Sequence, residues 1–327
     1  MLARVALGPG HIRWAYRAAA ASVEPPRISD ANEEDHAAPA APWSAGWREL
    51  PRDADDALER DPLAWWDAHG GGATSWPSLG EVRYADLRAP FPGAPPRPRW
   101  AMAVGLNYAE HAAETKMERP AYPILIGKAP SATVGPNEAV VIPKCADPGE
   151  VDYEAELAVV IGRRCRDVPV ERALDVVLGF CAADDVSARK WQGPKRGGGQ
   201  WLRAKSFDTF MPLGPVLRLA PRVAGGGGAG AFDPTRARVR TRLRKSGARA
   251  FEVTQDDTTE NLIFGVAQLV SFASQDTTLE PWTAILTGTP AGVGYTRRPP
   301  VCLEPGDVVE VGVEGVGVLR NPVRGPA

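Results

Sequence analysis

The feature that most constrains the fold is a row of acids at alternate positions, Asp152, Glu154 and Glu156, which runs directly into the apolar stretch 157–161. Alternate side chains of a β-strand point to one face, so the row predicts a strand over 152–161 with three carboxylates on one face. Three like charges this close repel unless water or a cation lies between them. A solvated edge face is the ordinary interpretation, but the apolar continuation argues against it and favours a strand that leads from a site into a core.

A second acidic pair, Asp184 and Asp185, follows the apolar stretch 180–183. Acids at the end of a buried strand usually cap the next turn or line a site. Asp185 together with Glu154 and Glu156 would supply three hard oxygen ligands, which suit Mg²⁺ (alternatively Mn²⁺ or Ca²⁺) with positions left open for water and substrate. The chain has only 4 histidines and no CxxC pair, so a multi-histidine or zinc–thiolate centre is not expected.

His111 and Glu114 lie three residues apart on a predicted helix over 107–117 and therefore share a face. A carboxylate beside an imidazole orients one ring nitrogen and raises the basicity of the ring, so that the other nitrogen can take a proton from water. An isolated pair at this spacing is more often a surface salt bridge. The spacing alone leaves both interpretations open.

Arg189, Gln192 and Lys205 follow the second acidic pair, with three glycines at 197–199 between them. Arginine can hold a carboxylate through two hydrogen bonds, and lysine can neutralise a developing oxyanion. The glycines would let this loop close over a ligand. A solvated cationic loop is the alternative, but an acidic metal site that binds an anionic substrate needs positive groups nearby.

Composition excludes several classes of partner. The formal net charge of −2 gives no electrostatic reason to expect nucleic acid or a polybasic membrane contact. No apolar run approaches the roughly 18 residues that a spanning helix needs, so no membrane is expected. The 4 cysteines lie far apart in the sequence, which predicts reduced thiols and a cytoplasmic location.

Short strands outnumber helices and no βαβα rhythm appears, which predicts an α+β fold that is mainly β. The proline-rich segment 90–98 predicts a boundary between a small N-terminal β-domain, residues 1–98, and a larger packed domain, residues 99–327. Within the first part, the acidic Ala/Pro-rich segment 18–46 predicts a mobile insertion. Further expectations are strands at 2–6, 12–16 and 81–84, a glycine-rich loop at 225–230, and helices at 169–178 and 261–274.

Five segments occur in one order, namely GLNYAEHAAE (105–114), DYEAELAVVIG (152–162), DDVSARKWQ (184–192), KSFDTFMPLGP (205–215) and LTGTPAGVG (286–294). Together they resemble the fumarylacetoacetate hydrolase family, whose members include acylpyruvate hydrolases, oxaloacetate decarboxylases and diketo-acid isomerases. The resemblance covers residues 100 to 323. It implies a mixed β-roll, usually a homodimer, often preceded by a small N-terminal β-domain.

The resemblance also implies roles for individual residues. The family's divalent-metal ligands fall on Glu154, Glu156 and Asp185. Its water-activating dyad falls on His111 and Glu114. Its substrate-binding positions fall on Lys205, Arg189, Gln192 and Thr289. At position 184 the family usually has asparagine, so Asp184 adds a negative charge beside the expected metal.

These expectations define one function and two alternatives. The expected function is a Mg²⁺-dependent hydrolase that cleaves a C–C bond in a β-diketo acid of the acylpyruvate type, with a small-molecule keto acid as substrate. A decarboxylase or keto–enol isomerase of an oxaloacetate-like substrate would use the same metal-bound enolate without an attacking water. The second alternative is a non-catalytic ligand-binding homologue.

Overall fold

The computed structural model describes residues 1–8, 11–16, 47–50, 54–69, 78–80, 87–93, 96–147, 149–196, 198–221 and 232–326. The expected insertion 18–46, the strand 81–84 and the glycine-rich loop 225–230 lie outside the described residues. The helices are α1 (Ala54–Arg60), α2 (Pro62–His69), α3 (Ala109–Glu114), α4 (Arg189–Gln192), α5 (Trp201–Lys205) and α6 (Val266–Ser274). Short 3₁₀ turns are formed by Pro130–Ala132, Val170–Val176, Thr259–Asn261 and Gly294–Thr296.

The strands are β1 (Leu2–Gly8), β2 (His11–Tyr16), β3 (Trp47–Glu49), β4 (Ser78–Gly80), β5 (Leu87–Arg88), β6 (Trp100–Gly105), β7 (Ile124–Lys128), β8 (Thr133–Val134), β9 (Val140–Val141), β10 (Val151–Asp152), β11 (Ala155–Ile161), β12 (Val177–Asp184), β13 (Ser187–Ala188), β14 (Met211–Leu219), β15 (Arg238–Arg244), β16 (Glu252–Thr258), β17 (Thr283–Leu286), β18 (Val308–Val313) and β19 (Gly317–Arg324).

Most of these strands belong to two mixed sheets. The larger has 12 strands in the order β4-β3-β2-β1-β14-β12-β11-β17-β6-β7, with β5 on β1 and β8 on β14. The smaller has 5 strands in the order β16-β15-β18-β19-β9, and β10 pairs with β13 in a separate ribbon. Most pairings are antiparallel, while β17–β6, β14–β8 and β19–β9 are parallel. The expected α+β, mainly β architecture is confirmed.

The core lies between the two sheets. Every residue of β11 and β12 is buried, because β12 packs against β18 and the neighbouring β14 packs against β19. Leu157, Phe180 and Val311 belong to one continuous apolar cluster that spans both sheets. A strand covered on both faces reads as a continuous apolar run, which explains why the alternation of the acidic row stops at Leu157.

The N-terminal strands continue the larger sheet. Leu2 of β1 pairs with Leu217 of β14. Trp14 stacks on Trp282 with ring centroids 5.3 Å apart, and the Trp282 indole donates a 2.7 Å hydrogen bond to the carbonyl of Leu58. The division into residues 1–98 and 99–327 stays a prediction. Within the described part of the chain, no helix is both long and apolar enough to cross a bilayer.

Two expected helices are shorter or absent. Residues Val170–Val176 form a 3₁₀ turn, and the chain then enters β12 at Val177, since its apolar residues pair with β11 in the core. The helix expected over 261–274 begins only at Val266, after Gly265 takes an extended conformation at the N-cap.

The segment 152–161, expected as one strand, forms parts of two strands. β10 ends at Asp152 and β11 begins at Ala155, with Tyr153 and Glu154 between them. β10 pairs with β13, whereas β11 pairs with β12 and β17, so the two halves of the acidic row belong to different ladders. The expectation of three carboxylates on one strand face is therefore wrong for Asp152.

Candidate active site

Three of the expected acids meet at one end of the central strands. Antiparallel pairing of β11 with β12 places Ala155 opposite Asp184, so Glu154 and Glu156 lie beside the residue that follows β12, Asp185. One carboxylate oxygen from each of Glu154, Glu156 and Asp185 lies within 4.8 Å of the other two, and all three side chains are buried. The structure thus brings together the three acids singled out from the sequence. Glu154, Glu156 and Asp185 are called the three-acid cluster below.

Asp152 has a different task. Its carboxylate accepts hydrogen bonds from the backbone N–H groups of Gly294 at 2.8 Å and Tyr295 at 3.0 Å. The Arg189 guanidinium also donates to it at 2.9 Å. Asp152 therefore anchors the 3₁₀ turn that begins at Gly294. It does not belong to the three-acid cluster.

The electrostatics of the acidic group fit a hard cation. Although burial raises the pKa of Glu154, the charges of Arg189 and Lys205 hold it well below its usual range. The pKa of Glu156 is raised well above its usual value by burial and by the charges of Asp185 and Glu154. Among the described residues, no lysine or arginine forms an ion pair with Glu156. Negative charge that is left without a partner in a buried oxygen cluster is what a divalent cation neutralises.

Asp184 lies beside the three-acid cluster, and one of its carboxylate oxygens binds the backbone of Glu154. Its Oδ1 accepts a 2.8 Å hydrogen bond from the backbone N–H of Glu154, while its buried Oδ2 has no hydrogen-bond partner in the described structure. Burial, together with the charges of Asp185 and Glu154, raises the pKa of Asp184 to about 8. Asp184 thus supports the turn at Glu154 and is not part of the three-acid cluster.

Lys128 is a site residue that the sequence analysis missed. Its ammonium donates hydrogen bonds to Asp185 Oδ1 at 2.6 Å and to the carbonyl of Phe210 at 2.9 Å. Burial lowers the pKa of Lys128, against the opposing effect of Asp185. A lone lysine at the end of β7 matches no motif, and only its position after the apolar run 124–127 hints at burial.

Lys205 lies on the other side of the same acids. Its ammonium donates to Glu154 Oε2 at 2.6 Å, to Ser187 Oγ at 2.9 Å and to Asp185 Oδ2. Burial alone would lower the pKa of Lys205, but Asp185 and Glu154 raise it. Lys205 is therefore a fixed ammonium whose three N–H groups are all engaged.

Arg189 and Gln192 lie on α4 at the edge of the cleft. The Arg189 guanidinium contacts Glu154 Oε1 at 2.6 Å as well as Asp152, while its buried Nη2 has no hydrogen-bond partner in the described structure. Gln192 Oε1 accepts from Arg189 at 3.3 Å, which turns the amide nitrogen of Gln192 away. That buried nitrogen has no hydrogen-bond partner in the described structure and is free to donate to a ligand.

His111 and Glu114 form the expected pair on α3. His111 Nδ1 lies 3.2 Å from Glu114 Oε2. The other oxygen of Glu114 accepts from Thr296 Oγ1 at 2.6 Å and from the Gly292 N–H at 3.1 Å. These donors, His111 first, lower the pKa of Glu114 although burial raises it. A charged carboxylate can only accept, so Nδ1–H of His111 donates to Glu114, and in that tautomer of the neutral ring Nε2 is the acceptor.

The turn 287–292 packs against the three-acid cluster beside Glu156. The Gly288 N–H donates to Glu156 Oε2 at 2.6 Å, and the backbone of Gly288 has φ +100°. The Thr289 hydroxyl donates to the carbonyl of Ala155 at 3.0 Å and accepts from Gln255 Nε2 at 2.8 Å. Gln255 is a second residue missed from the sequence; it lies inside β16, where no motif marks it.

Asn107 holds this turn against a neighbouring loop. Its amide donates to the carbonyls of Thr287 at 2.7 Å and Phe264 at 3.0 Å, and its Oδ1 accepts from the Phe264 N–H at 2.8 Å. Helix α3 therefore begins at Ala109, not at the expected position 107, and its N-cap is Tyr108.

Seven of the nine predicted site residues line one cleft in the described structure. The other two, Glu114 and Asp185, pair with His111 and Lys205, which do line it. The cleft's polar wall consists of His111, Thr115, Glu154, Glu156, Arg189, Gln192, Lys205 and Thr289. Its remaining wall contains Val104, Leu106, Met117, Ile126, Trp201 and Tyr295. An acidic cluster, a His–Glu pair and an apolar wall thus share one cavity, which is the arrangement of a metal-assisted enzyme site.

Comparison with known proteins agrees with this geometry. The profile of the fumarylacetoacetate (FAA) hydrolase C-terminal family matches residues 101–324. The chain belongs to the fumarylacetoacetate hydrolase family. It is 41% identical over 232 residues to a fumarylacetoacetate hydrolase domain-containing protein 2 homolog of Dictyostelium discoideum, which is 71% of this chain and 73% of that protein. It is 42% identical over 227 residues to a mitochondrial oxaloacetate tautomerase of Bos taurus, or 69% of this chain and 67% of that one.

Solved structures match over nearly the whole chain. A 5-carboxymethyl-2-hydroxymuconate delta-isomerase from Mycobacterium smegmatis has a TM-score of 0.66 and 32% identity, and the match covers 100% of this chain and 99% of that one. A fumarylacetoacetate hydrolase from Exiguobacterium antarcticum has a TM-score of 0.70 and 29% identity, with 99% of each chain covered. The similarity therefore extends beyond residues 101–324 to the N-terminal part.

Proposed function

We propose that this chain is a divalent-metal-dependent hydrolase that cleaves a C–C bond in a β-diketo acid of the acylpyruvate type. The observation that carries the proposal is that the oriented pair His111 and Glu114 serves the same cleft as the three-acid cluster. A metal site alone would suit several reactions of keto acids. A base poised to activate water is the extra element that hydrolysis requires.

The metal would be held by Glu154, Glu156 and Asp185, whose oxygens suit Mg²⁺ and also Mn²⁺ or Ca²⁺. When bound, the cation would act as a Lewis acid toward the keto-carboxylate end of the substrate and accept negative charge as the bond breaks. Lys128 and Lys205 support this arrangement by fixing the Asp185 carboxylate from two sides.

His111 would take a proton from water at Nε2 while Glu114 holds Nδ1–H. The resulting hydroxide adds to the carbonyl remote from the carboxylate, and the adjacent C–C bond then breaks. Its electron pair passes into the enolate of pyruvate, which takes a proton at carbon, and the acyl group leaves as a carboxylate. Atoms balance as one diketo acid plus one water giving two acids.

Substrate contacts would come from Gln192, Lys205, Arg189 and Thr289. Gln192 and Arg189 support this role best, since the Gln192 amide nitrogen and Arg189 Nη2 have no hydrogen-bond partner within the described protein. For Lys205 to stabilise an oxyanion, one of its three hydrogen bonds must be exchanged for a substrate oxygen. Arg189 would act mainly by holding Glu154 and Asp152 in place, and it would also contact the carboxylate of the substrate.

A tautomerase, isomerase or decarboxylase is the second candidate. It is favoured by the names of the relatives, an oxaloacetate tautomerase and a delta-isomerase. Such a reaction would use the same acids and enolate but would need His111 only to move a proton on the substrate, or not at all. A non-catalytic binding homologue is less well supported, because the acids and the His–Glu pair are both present.

The test supplies acetylpyruvate and, separately, oxaloacetate to the Mg²⁺-loaded protein. Hydrolysis releases acetate and pyruvate from the first; decarboxylation releases CO₂ from the second; tautomerisation changes only the enol absorbance. Glu114→Gln should lower acetate release, whereas Glu110→Gln, an exposed change on the same helix, should not. Turnover of oxaloacetate without acetate release from acetylpyruvate would favour the second candidate.

A homodimer in the cytoplasm completes the proposal. β7 is the edge strand of the larger sheet in the described structure, and Ile124 and Leu125 on it are exposed, which favours pairing with a second copy. The 4 cysteines are all unpaired, as in a reducing compartment. Light scattering of the purified chain would give a dimer mass if the proposal holds.

A further inference from the structure

Asp152 is a buried acid that the proposed reaction does not use. Its side chain is 0% exposed and lies outside the cleft lining. One of its carboxylate oxygens accepts from the Gly294 N–H, and the other accepts from the Tyr295 N–H and the Arg189 guanidinium. This carboxylate therefore fixes one end of the 3₁₀ turn Gly294–Thr296.

The other end of this turn holds Glu114. Thr296 Oγ1 lies 2.6 Å from Glu114 Oε1 and 2.9 Å from the carbonyl oxygen of Val293. A hydroxyl has one proton to donate, and the charged carboxylate is the closer and stronger acceptor. The Gly292 N–H is the other donor to Oε1, at 3.1 Å. In the described structure, both hydrogen-bond partners that Glu114 has outside α3 thus come from residues 292–296.

The orientation of the Glu114 carboxylate decides which nitrogen of His111 carries the proton. Glu114 Oε2 lies 3.2 Å from His111 Nδ1, and it stays there only while Oε1 is held. With Oε1 fixed, the carboxylate accepts from Nδ1–H, and Nε2 keeps its lone pair. If the carboxylate turned away, the neutral ring could carry its proton on Nε2, which could then take no proton from water.

We propose that Thr296 is a positioning residue for the His–Glu pair, and that Asp152 sets its place by anchoring the turn Gly294–Thr296. The inference rests on the proposed function, in which the pair takes a proton from water. The same turn carries Tyr295, whose ring centroid lies 4.4 Å from the guanidinium carbon of Arg189. One buried carboxylate thus connects the His–Glu pair with the arginine at the edge of the cleft.

The first arm of the test observes the His111 ring without any reaction. The chain has 4 histidines, so ¹⁵N-histidine NMR of the Mg²⁺-loaded protein gives few signals, and His111→Asn identifies the signal of His111. In alkaline buffer, where the ring is neutral, we expect the Nδ1–H tautomer. Thr296→Val should shift the tautomer ratio about tenfold toward Nε2–H, and Thr296→Ser, which keeps the hydroxyl, should restore it. An Nε2–H ring in the unaltered chain, or a ratio unchanged by Thr296→Val, would overturn the inference.

The second arm measures acetate release from acetylpyruvate. Thr296→Val should lower kcat about tenfold and leave KM within about twofold, because Thr296 lies outside the cleft lining and acts on the reaction through Glu114. Thr133→Val is the matched control, since this half-buried hydroxyl donates at 2.8 Å to the carbonyl of Pro130, three residues earlier. Thr296 reaches the carbonyl of Val293 in the same way, but Thr133 has no carboxylate partner in the described structure. An equal fall in kcat in both variants, or one that Thr296→Ser does not reverse, would contradict the positioning role.

A cycle of single and double variants tests the anchor. Asp152→Asn leaves one acceptor oxygen where two are used, so the turn should move and the His111 tautomer should shift as in Thr296→Val. Because both changes act through one turn, Thr296→Val should lower kcat less than about threefold in the Asp152→Asn protein, against about tenfold in the unaltered chain. Gly294→Ala, whose Cβ would lie 2.6 Å from Asp152 Oδ1, separates the turn from its anchor and is the second variant for this arm. The full loss in both backgrounds would show that Asp152 does not act through the turn.

The inference and the proposed function fail separately. If the unaltered chain releases no acetate but the His111 tautomer depends on Thr296, the hydrolase proposal is wrong and the positioning role stands. If acetate is released and neither the tautomer nor kcat depends on Thr296, the hydrolase proposal stands and the inference is wrong.

Discussion

Lys128 donates a 2.6 Å hydrogen bond to Asp185, and the two side chains are only 0% and 1% exposed. This pair fixes one oxygen of an acid of the three-acid cluster from the edge strand β7, which three other strands separate from β12 in the sheet. Because Lys205 occupies the other oxygen, the Asp185 carboxylate cannot rotate without breaking an ion pair.

Removal of Lys128 should destabilise the protein. Lys128→Met leaves a buried carboxylate short of one partner, which costs about 3–5 kcal/mol in the free energy of unfolding. Urea unfolding in chelator measures the loss, and added Mg²⁺ should recover part of it. Lys190→Met removes an exposed lysine paired with Asp147 and should cost less than about 1 kcal/mol. Equal losses in the two variants would contradict the buried pair.

The hydroxyl of Thr296 should stabilise the protein most while Glu114 is charged, since its hydrogen bond to the carbonyl of Val293 does not depend on pH. Hydrogen bonds lower the pKa of Glu114 below its ordinary value of 4.5, so its contribution to stability is present above that value and is lost as pH falls through the folded-state pKa. Thr296→Val should therefore cost about 1 kcal/mol at neutral pH and less in acid.

Unfolding curves of the Thr296→Val protein across this pH range provide the measurement. Thr277→Val, at an exposed threonine, is the matched control and should show no such trend. A deficit for Thr296→Val that stays constant with pH would show that the hydroxyl does not act through the charge of Glu114.

Gly288 should tolerate no side chain. At φ +100°, an added Cβ would lie 2.6 Å from Asn107 Cβ, so the turn that donates to Glu156 must move. Gly288→Ala should cost more than about 2 kcal/mol and weaken metal binding. Gly193→Ala is the control, because its nearest contact would be an ordinary 3.6 Å. Metal titration of both variants decides; unchanged affinity in Gly288→Ala would contradict the role of the turn.

The sequence was sufficient to predict the acidic cluster because its chemistry is local. Glu154 and Glu156 share a short segment, and Asp185 ends a recognisable apolar strand, so strand pairing alone was needed to join them. Asp152 was misplaced because nothing in an alternating pattern marks the break at Tyr153, where the chain leaves one ladder for another.

The residues that were missed act over long sequence separations. Lys128 and Gln255 reach the site through tertiary packing, at 57 residues from Asp185 and 100 residues from Ala155. Likewise, Asn107 suits a helix N-cap by local preference, but it bonds instead to Phe264 and Thr287, and tertiary contacts override the local signal.

We propose that Glu154, Glu156 and Asp185 hold a divalent cation that the reaction requires. Calorimetric titration of chelator-treated protein with Mg²⁺, followed by acetate release from acetylpyruvate on the same samples, tests it most directly. We expect one cation bound per chain and activity restored in proportion to occupancy, and we expect Glu156→Gln to lose both. Full turnover in excess chelator, or Mg²⁺ binding unaltered by Glu156→Gln, would contradict it.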